Sequence, residues 1–465
     1  MLRGIYKEDK LITSPITVVK VDQETGKQIQ AAGVEFRLLD SRKKPIEMEV
    51  YYPEHMKTSI FKTDKKGQFT FPQKLKKGQY YLEEVKAPEG YLKGELLPFE
   101  VKEGATWAEA QVIRYSNRSA KGKIVLQKID QKTKETLAGA VFEIFAAEDI
   151  VTADQTVHAE KGELVDTVEV SGKGGCSQNL YLGKYVVKEK KQPEGYVRPK
   201  KEYEVELKYK DQVTEIVTEE LTVANVPVTT ELIKTDKKSG KPLEGVSFSV
   251  WKKEDEKLPK FEKKMYVTDQ DGKILLEYLK PGTYCIQEKK TLPGYLLSEQ
   301  ITEFTVDEEG YSEGKQRLCL KLENEHTNIE VEKLDADTKK PVEGAVLQIE
   351  DLQGKVIIEK WKTEKEPKQI EKLPEGEYVL VEAEAPFGYQ KAEKMKFRVE
   401  PRKEVQKITL YNRKAEKEKL PGESTGKKDT PKTGDTAAVA KLIAALLGAS
   451  LLLGLIYYRK RDRKR

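Results

Sequence analysis

The sequence has little cysteine and little histidine, with three residues of each among 465. Three cysteines are too few for a disulfide framework, and neither residue type shows the spacing of metal ligands. A glycine-rich phosphate loop and a dinucleotide-binding fingerprint are also missing. No histidine lies near a nucleophile motif. We therefore expect no metal site, no cofactor and no enzymatic activity toward external substrates.

The sequence also lacks a charge imbalance outside its last residues. Its formal net charge is +5, from 84 Lys and Arg against 79 Asp and Glu. The C-terminal tail 459–465, with six basic residues and one Asp, accounts for the whole excess. A nucleic-acid partner would need a basic surface on the folded part of the chain. The neutral composition of residues 1–458 argues against such a partner.

Long apolar runs are missing as well, except for one near the C-terminus. Residues 442–458 and the alanine-rich stretch before them predict a transmembrane helix over 436–458. The basic tail 459–465 favours this reading over a buried core helix, because basic residues hold that end in the cytoplasm. Residues 1–12 contain no apolar segment of a secretory signal. We expect that the chain is the C-terminal part of a longer surface protein; a misplaced start codon is the alternative.

Between these ends the sequence contains four repeats of roughly 100 residues, the size of a small domain. Each repeat begins with a Lys-x-Asp segment, continues through Tyr-x-aliphatic-x-Glu and a turn ending in Gly-Tyr, and closes on an aliphatic strand with Asn. Short alternating strands with Gly and Pro between them, and no long helical period, indicate an all-β sandwich. The predicted domains are residues 13–120, 121–226, 227–326 and 327–415, followed by a flexible linker over 416–429.

Three polar residues of each repeat fall in phase with the apolar residues of their strands, because alternate residues of a strand share one face. Each repeat therefore points one Lys, one Glu and one Asn at its own core. The lysines are Lys20, Lys128, Lys234 and Lys333. The glutamates are Glu84, Glu189, Glu288 and Glu382. The asparagines are Asn117, Asn225, Asn324 and Asn412.

Burial of an isolated Lys or Glu is costly, so these groups must pair, lose their charge or react. Burial lowers the pKa of a Lys and raises the pKa of a Glu, which favours a neutral amine beside a protonated acid. Such an amine, held against an amide carbon, is a nucleophile at high effective concentration, and the acid can shuttle protons to the leaving ammonia. The product is a Lys–Asn isopeptide bond. The alternative is a buried salt bridge with an Asn that closes a strand end.

The repeats resemble the B-type (Cna-B) repeats of collagen adhesins and the related pilin domains of Gram-positive bacteria. Their most specific element is the Tyr-x-Leu-x-Glu segment with its Ala-Pro-x-Gly-Tyr turn, intact at residues 87–91 and 385–389. The resemblance implies an immunoglobulin-like, prealbumin-type sandwich with a self-formed isopeptide bond in each domain. The implied bonds join Lys20 to Asn117, Lys128 to Asn225, Lys234 to Asn324 and Lys333 to Asn412. Glu84, Glu189, Glu288 and Glu382 would promote them.

The segment before the apolar run resembles the C-terminal sorting signal of wall-anchored proteins. It reads Thr430-Pro431-Lys432-Thr433-Gly434, with Thr430 where that family commonly has Leu. The resemblance implies that a sortase cuts between Thr433 and Gly434 and joins the Thr433 carboxyl to peptidoglycan. The chain would therefore span the membrane before sorting and reside in the cell wall of a Gram-positive bacterium afterwards.

These features together predict a wall-anchored surface stalk. A minor or basal pilin is one alternative, although the Tyr-Pro-Lys-Asn type motif of a backbone pilin is missing, since Glu54 follows Tyr52 and Pro53. An adhesin for a host or matrix ligand is another, with the insert at residues 41–62 as a candidate surface. Cys285 and Cys319 both fall on the predicted outward phase of repeat three. A disulfide between them requires neighbouring strands, so we expect free thiols.

Overall fold

A computed structural model of the chain describes residues 13–51, 54–102, 105–257 and 263–415. Outside these residues lie the N-terminal segment 1–12, the linker 416–429, the sorting motif 430–435, the apolar run 436–458 and the basic tail 459–465. So do Tyr52 and Pro53. In the described part of the chain, no helix is long and apolar enough to cross a membrane.

Each repeat folds as two packed antiparallel-rich sheets, which confirms the predicted all-β class and the four tandem sandwiches. In repeat one the strands are β1 (Thr13–Ser14), β2 (Ile16–Asp22), β3 (Glu35–Leu39), β4 (Met48–Val50), β5 (Met56–Thr58), β6 (Ile60–Lys62), β7 (Gln68–Thr70), β8 (Leu75–Lys76), β9 (Gly78–Lys86), β10 (Leu97–Val101) and β11 (Gln111–Asn117). One sheet has the order β11-β2-β7 and the other β10-β9-β3-β6. The pairs β1-β8 and β4-β5 are short additions.

Repeat two has the same two layers. Its strands are β12 (Lys121–Asp130), β13 (Ala140–Ala146), β14 (Ile150–Val151), β15 (Val157–Ala159), β16 (Leu164–Val170), β17 (Gly175–Cys176), β18 (Leu180–Tyr181), β19 (Gly183–Lys191), β20 (Glu202–Leu207) and β21 (Ile216–Asn225). Strand β12 pairs with β17, β18 and β21, and the facing sheet has the order β16-β13-β19-β20. The hairpin β14-β15 is an insertion.

Repeats three and four have fewer strands than repeats one and two among the described residues. Repeat three contains β22 (Thr229–Asp236), β23 (Ser247–Lys252), a 3-10 helix (Lys253–Lys257), β24 (Lys264–Val267), β25 (Lys273–Glu277), β26 (Gly282–Lys290), β27 (Ile301–Val306) and β28 (Arg317–Asn324). Repeat four contains β29 (Asn328–Asp335), β30 (Val346–Glu350), β31 (Val356–Lys362), β32 (Lys368–Glu371), β33 (Gly376–Glu384), β34 (Met395–Val399) and β35 (Gln406–Asn412). Their sheets have the orders β25-β22-β28 and β24-β23-β26-β27, then β32-β29-β35 and β31-β30-β33-β34.

A separate apolar core lies between the two sheets of each repeat. In repeat two, for example, Ile124 and Leu126 of the first strand pack against Phe142 and Ile144 of the second, and all four are fully buried. These residues alternate along their strands, so the period-two pattern puts them on the inner face. The polar residue that continues this alternation on the first strand therefore also points inward.

The two cysteines on the predicted outward phase of repeat three differ in exposure. The Cys285 side chain is buried, whereas Cys319 is exposed. Cys285 lies opposite Trp251, which is itself buried and stands two residues before the 3-10 helix Lys253–Lys257. This additional helix and the tryptophan cover the outer face of the sheet, which strand periodicity could not reveal. Both thiols are free, and their strands β26 and β28 belong to different sheets.

Candidate functional site

The first and last strands of each repeat lie side by side and run parallel. In repeat one Lys20 of β2 is opposite Tyr115 of β11, and Asn117 follows two residues later on the same face. The same register recurs in the other repeats, where Lys128 is opposite Val223, Lys234 opposite Leu322, and Lys333 opposite Leu410. The asparagine two positions beyond each of these partners is therefore diagonal to the lysine and points into the same core.

The glutamate comes from the facing sheet and is placed by a β-bulge. Phe36 of β3 pairs with Glu84, but the preceding Glu35 pairs with Lys86, so one residue of β9 has no partner. The register shifts at the same place in each of the other repeats, immediately after Glu189, Glu288 and Glu382. A bulge bends its strand and redirects the side chains beside it. The sequence showed the inward phase of the glutamates but not this bulge.

In repeat one the glutamate contacts both other members of the triad. The Lys20 Nζ donates to Glu84 Oε1 at 2.9 Å. The Asn117 Nδ2 donates to Glu84 Oε2 at 2.7 Å and to the Leu92 carbonyl at 2.6 Å. The backbone N–H of Gly94 also donates to Glu84 Oε2, at 2.7 Å. The carboxylate thus lies between the amine and the amide nitrogen.

The triad of repeat two is the most closely connected. The Lys128 Nζ lies 2.8 Å from Glu189 Oε2. The Asn225 Nδ2 donates to the other carboxylate oxygen, Glu189 Oε1, at 2.9 Å. The Lys128 Nζ also donates directly to Asn225 Oδ1. The amine therefore contacts the amide that the sequence predicts it to attack.

In repeat three the carboxylate again lies between the two nitrogen atoms. The Lys234 Nζ lies 2.9 Å from Glu288 Oε2. The Asn324 Nδ2 donates to Glu288 Oε1 at 2.7 Å and to Thr291 Oγ1 at 2.7 Å. This threonine hydroxyl has no counterpart in the other three triads.

Repeat four has the longest separation between amine and carboxylate. The Lys333 Nζ lies 3.4 Å from Glu382 Oε1. The Asn412 Nδ2 donates to the two Glu382 oxygens at 3.0 and 3.2 Å and to the Gln390 carbonyl at 2.9 Å. The structure therefore brings together the predicted Lys, Glu and Asn in all four repeats.

These charged groups are removed from water. No member of the four triads is more than 6% exposed. Desolvation by burial lowers the pKa of Lys20 and of Lys333 from 10.5 to about 8, although the neighbouring glutamates oppose the shift. Burial also lowers the pKa of Lys128 and Lys234 and raises the pKa of Glu189. A lowered Lys pKa makes the neutral, nucleophilic amine easier to reach.

Several buried polar atoms of the triads have no hydrogen-bond partner. In the described part of the chain these are Asn117 Oδ1, Asn324 Oδ1 and Asn412 Oδ1. Glu288 Oε2 and Lys333 Nζ also lack a well-aligned hydrogen bond, but each faces its ion-pair partner, at 2.9 and 3.4 Å. A buried polar atom without a partner costs about 1–3 kcal/mol. Native structures keep few of them, and each calls for a physical reason. These Oδ1 atoms are the oxygens of the amides that the sequence predicts the lysines to attack.

A second buried group, which the sequence analysis did not identify, holds the ends of the same strands. The aspartate of each Lys-x-Asp segment accepts two backbone N–H groups of the following turn; for Asp130 these are Lys132 and Thr133, at 2.6 and 2.9 Å. Its other oxygen accepts the hydroxyl of the Gly-Tyr tyrosine in three repeats. The three bonds are Tyr196 to Asp130 at 2.8 Å, Tyr295 to Asp236 at 2.8 Å and Tyr389 to Asp335 at 2.9 Å.

In repeat one Asp22 instead accepts the Ser119 hydroxyl at 3.1 Å. We call this aspartate and its hydroxyl partner the Asp clasp of each repeat. The Asp clasp lies two residues beyond the reactive lysine and next to the asparagine strand. A signal for it was present in the sequence, because the aspartate shares the inward phase of the lysine.

The turn that follows the clasp aspartate also contacts the next repeat. The Tyr181 hydroxyl of repeat two donates to Glu24 of repeat one at 2.6 Å. The Tyr278 hydroxyl of repeat three donates to Asp130 at 3.2 Å. The Lys372 Nζ of repeat four lies 2.7 Å from Asp236. Consecutive repeats are therefore joined at the end of the sandwich where the lysine and asparagine lie.

The remaining predicted site residues, Thr430, Pro431, Lys432, Thr433 and Gly434, lie outside the described residues. Among the residues that the structure does describe, no group of three or more His, Cys, Asp or Glu side chains could hold a metal ion.

Comparison with protein families gives one match that covers most of the chain. The family model described as SpaA, prealbumin-like fold domain, matches residues 14–113, 122–222, 228–316 and 327–414. These four segments coincide closely with the four sandwiches. A comparison with curated proteins finds no match.

Three solved structures illustrate the similarity. The Bacillus anthracis TIE protein shares 20% identity, with 89% of this chain and 76% of that chain covered and a TM-score of 0.37. A streptococcal ancillary pilin shares 18%, with 64% and 100% covered and a TM-score of 0.29. The major pilin subunit BcpA of Bacillus cereus shares 15%, with 68% and 100% covered and a TM-score of 0.34.

Proposed function

Because the chain belongs to the SpaA family of prealbumin-like fold domains, as its four matched segments show, we propose that it is a covalently stabilised stalk on the surface of a Gram-positive cell. One observation carries the proposal. In every repeat a buried glutamate lies between the amine of a first-strand lysine and the amide nitrogen of a last-strand asparagine.

The chemistry follows from the contacts of Glu84 in repeat one. The neutral Lys20 amine forms a bond to Cγ of Asn117 while the bond from Cγ to Nδ2 breaks. The proton that Nζ loses passes through the Glu84 carboxyl to Nδ2, and ammonia leaves. Glu84 Oε1 contacts Nζ and Oε2 contacts Nδ2, so the shuttle needs no rearrangement of the side chain. Each repeat reacts once, so the chain is a substrate of its own maturation and has no turnover.

Each bond would join the two strands through which tension enters and leaves a repeat. Because β2 and β11 are parallel neighbours, a link from Lys20 to Asn117 passes force from one directly to the other. The strands β3 to β10 are then bypassed. The bond also closes a loop of roughly 80 to 100 residues, which by analogy with a disulfide restricts the unfolded chain by about 4–5 kcal/mol.

The contacts between consecutive repeats support the stalk role. Lys132 lies 3.2 Å from Glu277 and Lys280 lies 2.9 Å from Glu194 at the junction of repeats two and three. Together with the tyrosine and lysine contacts to the clasp aspartates, these pairs limit bending between domains. In this proposal the stalk holds an adhesive or interacting region away from the wall. A minor or basal pilin would need the same covalent stabilisation and the same limited bending between domains.

The proposed attachment to the cell wall rests on the predicted sorting signal. A sortase would cut after Thr433 and transfer its carboxyl to peptidoglycan, and the apolar run 436–458 would hold the precursor in the membrane until then. Adhesion to a host or matrix ligand would belong to a region beyond these repeats or to the insert of repeat one, where Tyr51 and Met56 are exposed.

The anchoring step is tested by replacing Thr433 with Ala in the full-length precursor, expressed in a Gram-positive host with an active sortase. We expect the wild-type protein in the wall fraction, released only by peptidoglycan hydrolase, and the variant in the membrane fraction or the medium. Thr430→Leu, which restores the common motif, is the matched control and should still reach the wall. Equal wall attachment of the Thr433→Ala variant would reject the anchoring step.

A further inference from the structure

Each asparagine amide is held at a second point besides its glutamate. In repeats one and four the second contact is a backbone carbonyl of the residue after the Gly-Tyr turn, Leu92 at 2.6 Å and Gln390 at 2.9 Å. In repeat two it is the reactive amine itself, since Lys128 donates to Asn225 Oδ1. Two contacts fix the orientation of an amide about its Cβ–Cγ bond. With one contact the amide can flip, so that its nitrogen and oxygen exchange places.

Repeat three lacks both of these second contacts in its described residues. Leu296, the residue after Tyr295, keeps its backbone bond to Glu325 at 2.9 Å. No carbonyl of this segment, however, bonds the Asn324 amide among the described residues, and a groove of about 780 Å³ opens between residues 296–300 and β28. The floor of this groove includes Glu288 and Asn324. In repeats one and four the same segment donates a backbone N–H, from Gly94 or Ala392, to the glutamate. In repeat three Glu288 Oε2 faces the Lys234 amine at 2.9 Å and has no backbone N–H donor among the described residues.

A side chain occupies the missing position instead. The Asn324 Nδ2 donates to Thr291 Oγ1 at 2.7 Å, as short as its bond to Glu288. Thr291 is the third residue after the glutamate, and the corresponding residues of the other repeats are Ala87, Gln192 and Ala385. Repeat three is therefore the repeat with a hydroxyl side chain at this position, and in its described residues neither a backbone carbonyl nor the lysine amine provides the second contact to the asparagine.

We propose that Thr291 is a positioning residue for isopeptide bond formation in repeat three, where it holds Nδ2 of Asn324 on the Glu288 carboxyl. Without the threonine hydroxyl, the Asn324 amide rotates about its Cβ–Cγ bond, so that Oδ1 instead of Nδ2 faces the Glu288 carboxyl. The leaving nitrogen then loses the group that protonates it. The balanced step is unchanged: the bond from Lys234 Nζ to Cγ forms, the bond from Cγ to Nδ2 breaks, and ammonia leaves with the proton from Nζ. The inference rests on the proposed function.

The test uses the full chain, in which four reactions take place side by side. Thr291→Val removes the hydroxyl at almost constant volume, and Thr291→Ser keeps it. Samples taken at intervals after a pulse of synthesis are digested, and mass spectrometry gives the linked fraction of the Lys234–Asn324 peptides. We expect Thr291→Val to slow linkage in repeat three about a hundredfold, which is the low end of what a positioned proton-transfer group contributes. Thr291→Ser should stay within about twofold of the wild type, and the links of the other repeats should form at unchanged rates.

A second measurement separates positioning from folding. In a Lys234→Met background, which removes the reaction, repeat three should remain folded at the assay temperature with either Thr or Val at position 291. If Val unfolds it, the rate is scored on Thr291→Ala, the residue that repeats one and four carry there.

An unchanged rate in repeat three, or a Ser variant as slow as the Val variant, would overturn the role of Thr291 while the other three links still formed. A wild-type chain without links in any repeat would instead overturn the proposed function, and this inference with it.

Discussion

At the scale of single residues, the glutamate is the member of the triad that contacts both partners in every repeat. We expect Glu84→Gln to abolish ammonia loss in repeat one, because an amide cannot carry the proton from Lys20 to Asn117. Without the link, the free energy of unfolding of this repeat should fall by about 4 kcal/mol. Peptide mapping detects the link, and calorimetry detects a new low-temperature transition.

The neighbouring residue provides the control for this substitution. Glu83 lies on the opposite face of β9 and pairs with Arg37 at 2.9 Å on the surface. A surface pair of this kind contributes about 0–1 kcal/mol, so Glu83→Gln should leave both the link and the stability nearly unchanged. Full linkage in the Glu84→Gln variant would contradict the role of the glutamate.

The lowered pKa of Lys20 predicts a pH dependence in an unlinked repeat. In an Asn117→Ala variant, burial keeps the Lys20 pKa near 8 in the folded state, against 10.5 when unfolded. Between these values the unfolded state binds more protons, so stability is lowest below about pH 8 and rises toward higher pH. The slope is measured by thermal unfolding at pH intervals up to about 9.5. At higher pH the tyrosines that are buried in the folded state ionise on unfolding, which opposes the rise in stability.

A second substitution isolates the lysine as the source of this slope. Lys20→Met in the same Asn117→Ala background removes the titrating amine. The rise in stability with pH should then disappear. A slope that persists in the double variant would assign the effect to other groups.

At the scale of structural elements, the Asp clasp fixes the end of the sandwich beside the triad. Tyr389→Phe removes the hydroxyl that donates to Asp335 at 2.9 Å. A hydrogen bond to a charged group contributes about 1.5–3 kcal/mol, so we expect repeat four to lose stability in this range. Tyr411→Phe, at an exposed tyrosine of the adjacent strand, is the control and should cost less than about 0.5 kcal/mol. Equal losses for both variants would contradict the clasp.

Strand periodicity predicted the elements that carry the triads but not the details around them. The inward phase of Lys20, Glu84 and Asn117 follows from alternation alone, which is a local property of a strand. The bulge after each glutamate depends on how two distant strands pair, so no local pattern reveals it. Cys285 shows the same limit, because its outer face is covered by Trp251 and by the 3-10 helix Lys253–Lys257, which has no equivalent among the described residues of the other repeats.

At the scale of the whole molecule, the proposed links would determine how the chain responds to tension. When the protein is pulled by its two ends, only the residues outside the linked loops should extend. A variant with the four reactive lysines replaced by Met should show four unfolding events, each releasing roughly a full repeat. Single-molecule force spectroscopy on both proteins makes the comparison. Unfolding of full repeats in the wild type would contradict the mechanical role.

The intact mass of the folded wild-type protein tests the central claim most directly. If the four triads react, the mass is lower than that of the sequence by four molecules of ammonia, and the Lys-to-Met variant shows no deficit. A wild-type mass equal to that of the unmodified sequence would contradict the account, because the buried triads would then be salt bridges and nothing more.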